Sequence, residues 1–269
     1  NNLLESQVLA AADQYGNMYY HYINEDFGGQ GYGRVDYQSL EAADADGAWG
    51  YVYTYHGATD VVETKIGYSV ADYADPKNPA FTKIMVKYEF DAQAALLRKS
   101  TYYFDTSRIE SLTHQAVDQY GNLYYHYTDV DFGGQGYGLV DYQALAVTDA
   151  DGANGYYYEY HGATDVVSKK IGYGVADYTT NPKAPDFTQQ LVVTEFDAQG
   201  VQTKKFTYYN DANNLLESQV LAAADQFDNM YYHYINEDFG GQGFGRVDYQ
   251  AAAVADADGG KGYYYEYWG

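Results

Sequence analysis

A tandem repeat with a period of about 106 residues constrains this chain more than any other feature of its sequence. Residues 1–38 and 213–250 are identical at 35 of 38 positions, and a looser copy of the same surface lies between them at 122–138. Self-similarity at a fixed period indicates one supersecondary unit built several times. The sequence predicts two complete repeat units, 1–106 and 107–212, followed by a half unit, 213–269.

The hydrophobic pattern within each unit has the two-residue period of β-strands. Segments 51–56 and 156–160 each place three tyrosines on one strand face, and turn sequences such as DQYGN, DADGAWG and FGGQGYG separate the strands. Segment 3–13 is rich in helix formers, but its counterpart 108–118 alternates like a strand, so both are predicted to be strands. The predicted fold class is all-β, a tandem-repeat array of antiparallel strands and hairpins forming solenoid-like or stacked β-sheet units.

Composition and charge exclude several classes of protein. The 46% hydrophobic content is ample for a core, and the absence of cysteine means that disulfides cannot stabilise it. The formal net charge of −23 argues against nucleic-acid partners, which bind clustered Lys and Arg, and against anionic membrane surfaces. No apolar run approaches the roughly 18 residues of a membrane span, so no membrane insertion is predicted.

Two segments, 90–105 (FDAQAALLRKSTYYFD) and 196–211 (FDAQGVQTKKFTYYND), resemble the YD (RHS-type) repeats of bacterial surface and toxin-delivery proteins. Ala94 replaces the glycine of that pattern in the first segment, and the arginine that usually follows the glycine is missing. The resemblance implies extended β-sheet built from tandem hairpins, in a large secreted or surface protein. The residues that match the pattern are Phe196, Asp197, Gly200, Tyr209 and Asp211.

The motif Asp-Ala-Asp-Gly occurs three times and is the strongest candidate for chemistry. Carboxylates at alternate positions followed by glycine open many calcium loops, because their oxygens converge while glycine permits the tight turn. A complete EF-hand loop needs more oxygen ligands, so a site here would borrow them, for example from Asp60 and Asp165. The alternative is an ordinary Asp-Gly hairpin turn. The predicted Ca²⁺ ligands are Asp44, Asp46, Asp149, Asp151, Asp256 and Asp258.

The remaining polar candidates favour structural roles. Histidines in the YYHY and YHGATD segments could bind a metal or titrate together, but the pattern favours cross-strand hydrogen bonding. Acidic pairs such as Glu25 and Asp26 could serve glycoside hydrolysis, yet every candidate recurs with the repeat, whereas an active site is built once. No nucleophile elbow or zinc-binding helix motif is present. The sequence therefore predicts a protein without enzymatic activity.

A repeated surface suits an extended array. The tyrosine faces favour cross-strand aromatic ladders, and units that stack through such faces leave adhesive ends. The predicted function is a structural protein of bacterial type that forms an extracellular or cell-surface filament, stalk or sheath. Assembly into a homopolymer would occur by head-to-tail docking of the half unit or by edge-strand pairing. The alternatives are an adhesin or carbohydrate-binding module whose tyrosine-rich faces bind surface glycans, and a protective shell of the YD type.

Overall fold

A computed structural model describes residues 2–255 and 257–268 of the chain. The described residues form strands, turns and loops, and none of them lies in a helix. The all-β fold class and the antiparallel pairing predicted from the sequence are therefore confirmed. In the part of the chain that the structure covers, there is no helix with the length and hydropathy needed to cross a membrane.

The chain divides into two compact units, Asn1–Leu139 and Val140–Gly269. This division differs from the repeat boundaries near residues 106 and 212, which stay a prediction. Unit 1 is a meander in which each strand pairs antiparallel with the next along the chain. Its strands are β1 (Ser6–Val8), β2 (Asn17–Tyr22), β3 (Val35–Leu40), β4 (Gly50–Tyr55), β5 (Val62–Asp72), β6 (Ala80–Phe90), β7 (Leu96–Tyr102), β8 (Ile109–His114) and β9 (Asn122–Tyr127).

Unit 2 is a meander of the same kind. Its strands are β10 (Val140–Leu145), β11 (Gly155–Tyr160), β12 (Val167–Asp177), β13 (Asp186–Phe196), β14 (Gln202–Tyr208), β15 (Leu216–Leu221), β16 (Asn229–Tyr234), β17 (Val247–Ala252) and β18 (Gly262–Tyr264).

The ambiguous segment 3–13 is not helical. It contributes β1, and its two counterparts form β8 and β15, as the alternation in the second copy predicts. In unit 1, β1 and β8 occupy the same position in successive copies and are seven strands apart. Connections in a meander alternate between the two ends of the sheet. Because seven is odd, the turn after β1 and the matching turn after β8 lie at opposite ends of unit 1.

The core of unit 1 lies under a long hairpin. β5 and β6 have 11 residues each, against six in β4, and their register shifts between Gly67 and Tyr68. Beyond the shift, the loop brings Tyr73 onto the fully buried Tyr19, with ring centroids 4.9 Å apart. The Tyr19 hydroxyl also donates to the Pro76 carbonyl at 2.8 Å. The loop at 75–79 therefore closes the core.

Unit 2 repeats this arrangement with β12 and β13. The register shifts between Gly172 and Tyr173, and the hairpin contributes Val192 to a buried cluster with Ala153 and Tyr156. Burial of this aromatic and aliphatic surface is the main term that stabilises each unit, since disulfides are absent.

Candidate functional site

One five-residue turn recurs throughout both units. The Oδ1 atom of its first residue, an aspartate, accepts the backbone N–H groups of the second and fourth residues after it, at 2.8–3.0 Å. The third residue after the aspartate has positive φ in every case. Side-chain oxygens that accept local N–H groups in this way stabilise reversals. The aspartates are Asp13, Asp44, Asp91, Asp118, Asp149, Asp197 and Asp225.

Three motifs that differ in sequence fold into this same turn. The first aspartate of Asp-Ala-Asp-Gly, the aspartate of the YD-like segments and the aspartate of DQYGN all have the same role. The common signal was available in the sequence: an aspartate followed, three residues later, by a glycine in most copies. In the first YD-like segment the residue with positive φ is Ala94, at 63°, where its counterpart Gly200 has 76°.

The second aspartate of Asp-Ala-Asp-Gly contacts a lysine from a distant strand. Lys99 on β7 donates to Asp46 Oδ1 at 2.8 Å, and the Tyr88 hydroxyl donates to Asp46 Oδ2. In unit 2, Lys205 donates to Asp151 Oδ1 at 2.8 Å. Burial by itself would raise the pKa of Asp46, but the hydrogen bonds from Lys99 and Tyr88 outweigh it, so this pKa lies below its usual value.

A second lysine lies near each of these turns. Lys65 sits with its ammonium 3.7 Å from the Tyr51 ring centroid, and Lys170 sits 3.6 Å from that of Tyr156. Burial lowers the pKa of both lysines, while the nearby aspartates act in the opposite direction. Ammonium groups therefore already provide positive charge next to the carboxylates.

The structure places most of the predicted calcium ligands in contacts with other groups of the protein. Asp44 and Asp149 cap turns, Asp46 and Asp151 hold lysines, Asp258 is exposed, and Asp256 lies outside the described residues. Asp60 and Asp165, the proposed borrowed ligands, lie in the loops at the opposite ends of β4 and β11, so they do not reach these turns. Among residues 2–255 and 257–268, no three His, Asp or Glu side chains cluster as a metal site would require. Calcium binding stays a prediction.

The glycine-rich loop after β2 is held by an arginine. Arg34 forms two hydrogen bonds to Glu25, with Nε–Oε1 and Nη2–Oε2 distances of 2.5 and 3.0 Å. Its guanidinium lies 4.7 Å from the Tyr55 ring centroid and donates to the Gly57 carbonyl at 2.9 Å. The loop also approaches its own backbone closely, since a Cβ at Gly33 would lie 2.0 Å from the Ile23 carbonyl oxygen.

The second copy of the repeat replaces the ion pair with an apolar pair. Val130 and Leu139 stand where the first copy has Glu25 and Arg34. The third copy keeps the ion pair, with Arg246 Nε 2.8 Å from Glu237 Oε1. Paired replacement of this kind is expected of side chains that contact each other.

The histidines make the cross-strand contacts favoured by the sequence. His21 Nδ1 lies 2.6 Å from Asp36 Oδ1, and His233 Nδ1 lies 2.6 Å from Asp248 Oδ1. His56 Nε2 lies 2.9 Å from the Phe90 carbonyl oxygen, joining the loop after β4 to the end of β6. These rings are used to connect neighbouring strands and loops.

The tyrosines form ladders and hydrogen bonds. Rings stack along β2 (Tyr20 and Tyr22, centroids 6.4 Å apart) and pair across β10 and β11 (Tyr142 and Tyr157, 4.8 Å). The Tyr20 hydroxyl donates to the capping carboxylate of Asp13, and the third copy repeats this contact. The predicted aromatic ladders are therefore present, and most sheet-face tyrosines are half-buried by them.

A cleft of about 580 Å³ lies beside β6, β7 and β8. Its polar lining includes Glu89, Arg98 and His114. Arg98 Nη2 lies 3.1 Å from Glu89 Oε1, and Lys87 Nζ lies 2.9 Å from the same oxygen. The carboxylate is thus engaged by two cations of its own sheet.

No protein-family model matches the sequence, and no curated protein sequence matches it. Solved structures match parts of the chain, and two of them are described. The Photorhabdus luminescens Tc holotoxin pore has 10% sequence identity and a TM-score of 0.21 over 89% of this chain and 15% of its own. The TcdB2-TccC3 crystal structure has 11% identity and a TM-score of 0.16 over 87% of this chain and 13% of its own. Similarity at these TM-scores establishes no shared fold or activity.

Proposed function

We propose that this chain is a non-catalytic structural β-repeat protein that self-associates through edge strands into an extracellular or cell-surface filament, stalk or sheath. The observation that carries the proposal is the recurrence of the same structural contacts in successive copies of the repeat. Asp13, Asp118 and Asp225, for example, cap the same turn in the three copies. Repeated contacts of this kind are typical of an array of stacked units.

The use of the polar side chains supports a structural function. The recurring aspartates cap turns, the recurring histidines connect strands, and the recurring arginines hold loops. Each role appears in at least two copies, as an array requires and a single reaction centre does not. The charge of −23 opposes close approach of molecules, so salt is expected to promote assembly.

The test is light scattering with size-exclusion chromatography, together with negative-stain electron microscopy, at about 0.05 M and about 0.5 M salt. Each condition is examined with calcium and with chelator. We expect concentration-dependent oligomers or filaments that grow with salt. Val8→Lys and Tyr264→Lys should reduce assembly, whereas the control Val147→Lys, at an exposed loop valine, should not. A monomer under all conditions contradicts the proposal.

A second candidate function, carbohydrate binding, is favoured by aromatic residues at the tips of the DQYGN-type turns. Tyr15, Tyr120 and Phe227 occupy the same position in the three copies and are 75%, 74% and 70% exposed. Flat exposed rings suit stacking on sugars. A glycan array compares the wild-type chain with a variant in which these three residues are alanine. Equal signals from both would exclude this role.

A further inference from the structure

A pair of tyrosines faces each other across β10 and β11 in unit 2. Tyr142 on β10 lies directly opposite Tyr157 on β11 in the antiparallel register. Their ring centroids are 4.8 Å apart, and the ring planes are inclined by 46°. Residues directly opposite each other in such a ladder project from the same face of the sheet, with Cβ atoms ~4.5–5.5 Å apart. The two phenol rings therefore lie side by side on one face of the sheet.

The three copies of the repeat differ at this pair. In the third copy, Tyr249 on β17 lies opposite Tyr264 on β18, with ring centroids 4.9 Å apart. In the first copy, Tyr37 on β3 lies opposite Val52 on β4. The first of the two strands keeps its tyrosine in every copy, so the pair of the first copy lacks only the second ring. The first copy is therefore a natural control for any chemistry that needs both rings.

The short separation and partial exposure of these rings distinguish them from other tyrosine pairs of the chain. Rings two residues apart along one strand, such as those of Tyr20 and Tyr22, have centroids 6.4 Å apart. The rings of Tyr19 and Tyr73 are 4.9 Å apart, but they stack almost in parallel and Tyr19 is fully buried. The rings of the β10–β11 pair are only half-buried. Their separation is close to that of two phenol rings joined by a direct carbon–carbon bond.

Both hydroxyl groups of the pair keep their protons at neutral pH. Burial raises the pKa of Tyr142, and the nearby Tyr157 adds to this effect. Burial also raises the pKa of Tyr157. Removal of one electron from either ring is therefore coupled to loss of its phenolic proton, and the product is a neutral phenoxyl radical. The unpaired electron is shared by the oxygen and the ortho and para carbons. Because the para carbon carries the Cβ atom, the ortho carbon is the one that is free to form a bond.

We propose that Tyr142 and Tyr157 form a site of oxidative cross-linking, which a one-electron oxidant such as the oxidised haem of a peroxidase converts to dityrosine. Each ring gives one electron to one equivalent of the oxidant and its phenolic proton to water. The two radicals then join through a bond between their ortho carbons, and the two ortho hydrogens move to the oxygens and restore the phenols. The chain loses two hydrogen atoms in all, and β10 becomes covalently joined to β11 in a protein without cysteine. Tyr249 and Tyr264 form the equivalent site of the third copy.

The experiment oxidises the complete chain, at low concentration, with a ruthenium photosensitiser, persulfate and light. The monomer is isolated under denaturing conditions and cleaved before aspartate, which separates Tyr142 in peptide 141–148 from Tyr157 in peptide 151–164. The cross-link then appears in the mass spectrum as these two peptides joined, with two hydrogens fewer than their sum. We expect this species to be about tenfold more abundant in the folded chain than in a chain oxidised in urea, because the fold holds the two rings in contact.

Two matched variants come from the comparison of the copies. Tyr157→Val reproduces the pair that the first copy already folds with, and it should abolish the linkage between peptides 141–148 and 151–164. Val52→Tyr places a second ring opposite Tyr37, and it should create a linkage between peptides 36–43 and 46–59. The loss and the gain are measured by the same digestion, so each variant is the control for the other.

Three results would overturn the inference. The first is a folded chain that yields no more of the 141–148 to 151–164 linkage than the unfolded chain, and the second is a Tyr157→Val chain that retains this linkage. The third is oxidation that joins only tyrosines of a strand and a loop, such as Tyr22 and Tyr32, whose ring centroids are 5.1 Å apart. Because only the monomer is digested, the result does not depend on the proposed self-association.

Discussion

Replacing Ala94 with glycine should stabilise unit 1. Ala94 holds a φ of 63° in the turn capped by Asp91, whereas the equivalent residue in unit 2 is Gly200. The two turns have the same hydrogen bonds, with Oδ1 of the aspartate 2.9 Å from two backbone nitrogens in each. The only difference at this position is a methyl group on a left-handed backbone.

The magnitude follows from two opposing terms. A non-glycine residue in the left-handed region costs ~1–2 kcal/mol, while glycine adds ~0.5–1 kcal/mol of unfolded-state freedom. Ala94 is exposed, so removal of its methyl group sacrifices little burial. The net stabilisation expected for Ala94→Gly is about 1 kcal/mol, which corresponds to a rise in thermal midpoint of ~2–4 °C.

The assay is urea unfolding followed by circular dichroism and tyrosine fluorescence, with Gly200→Ala as the reciprocal variant. A Cβ on Gly200 would have Val166 Cγ1 as its nearest neighbour at 3.9 Å, an ordinary contact. Any loss of stability in Gly200→Ala therefore reports backbone strain and not a clash. Neutral or destabilising behaviour of Ala94→Gly, or a stabilising Gly200→Ala, would refute the reasoning.

Three further predictions concern side chains. Arg34→Leu should lower the urea midpoint of unfolding. Adding Glu25→Val should recover part of that loss, because the second repeat copy has an apolar pair at these two positions. Strictly additive effects in a double-mutant cycle would contradict the predicted contact between the two side chains. Burial raises the pKa of Tyr127 from 10.0 to about 12, so its contribution to stability is complete below pH 10 and disappears as pH rises to 12. Phenolate absorbance and circular dichroism should therefore change together in that window, and phenolate formation that precedes unfolding would be the contrary result. The double variant Lys99→Gln, Lys205→Gln should bind calcium more tightly than the wild-type chain, because it removes the lysine partners of Asp46 and Asp151. Equal calcium-dependent shifts in the thermal midpoints of the two proteins would contradict this prediction.

The fold class could be predicted from the sequence because its determinants are local. The two-residue alternation at 51–56 and the turn residues around Asp13 and Asp44 act within a few positions of each other. The repeat also resolved the ambiguity at 3–13, since the copy at 108–118 alternates clearly. Comparison of copies could have revealed the Glu25–Arg34 contact as well.

The chemistry of the Asp-Ala-Asp-Gly turns could not be predicted in this way. Lys99, the partner of Asp46, is 53 residues away, and only the register of β6 and β7 brings it to the turn. The position of Asp60 relative to the Asp44 turn could not be predicted for a related reason. Adjacent turns along a meander lie at opposite ends of their shared strand, so nearness in sequence does not give nearness in space.

The odd number of strands per repeat has a consequence for how unit 1 meets other molecules. The turns that carry Tyr15 and Tyr120 at their tips have the same backbone hydrogen bonds, and they project from opposite ends of the strands of unit 1. Those two ends are separated by roughly 20 Å, the length of a six-residue strand. Any partner that recognises this turn therefore finds it on both sides of the unit. Two partner molecules could be held back to back, which would make unit 1 a connector between them and not a one-sided platform.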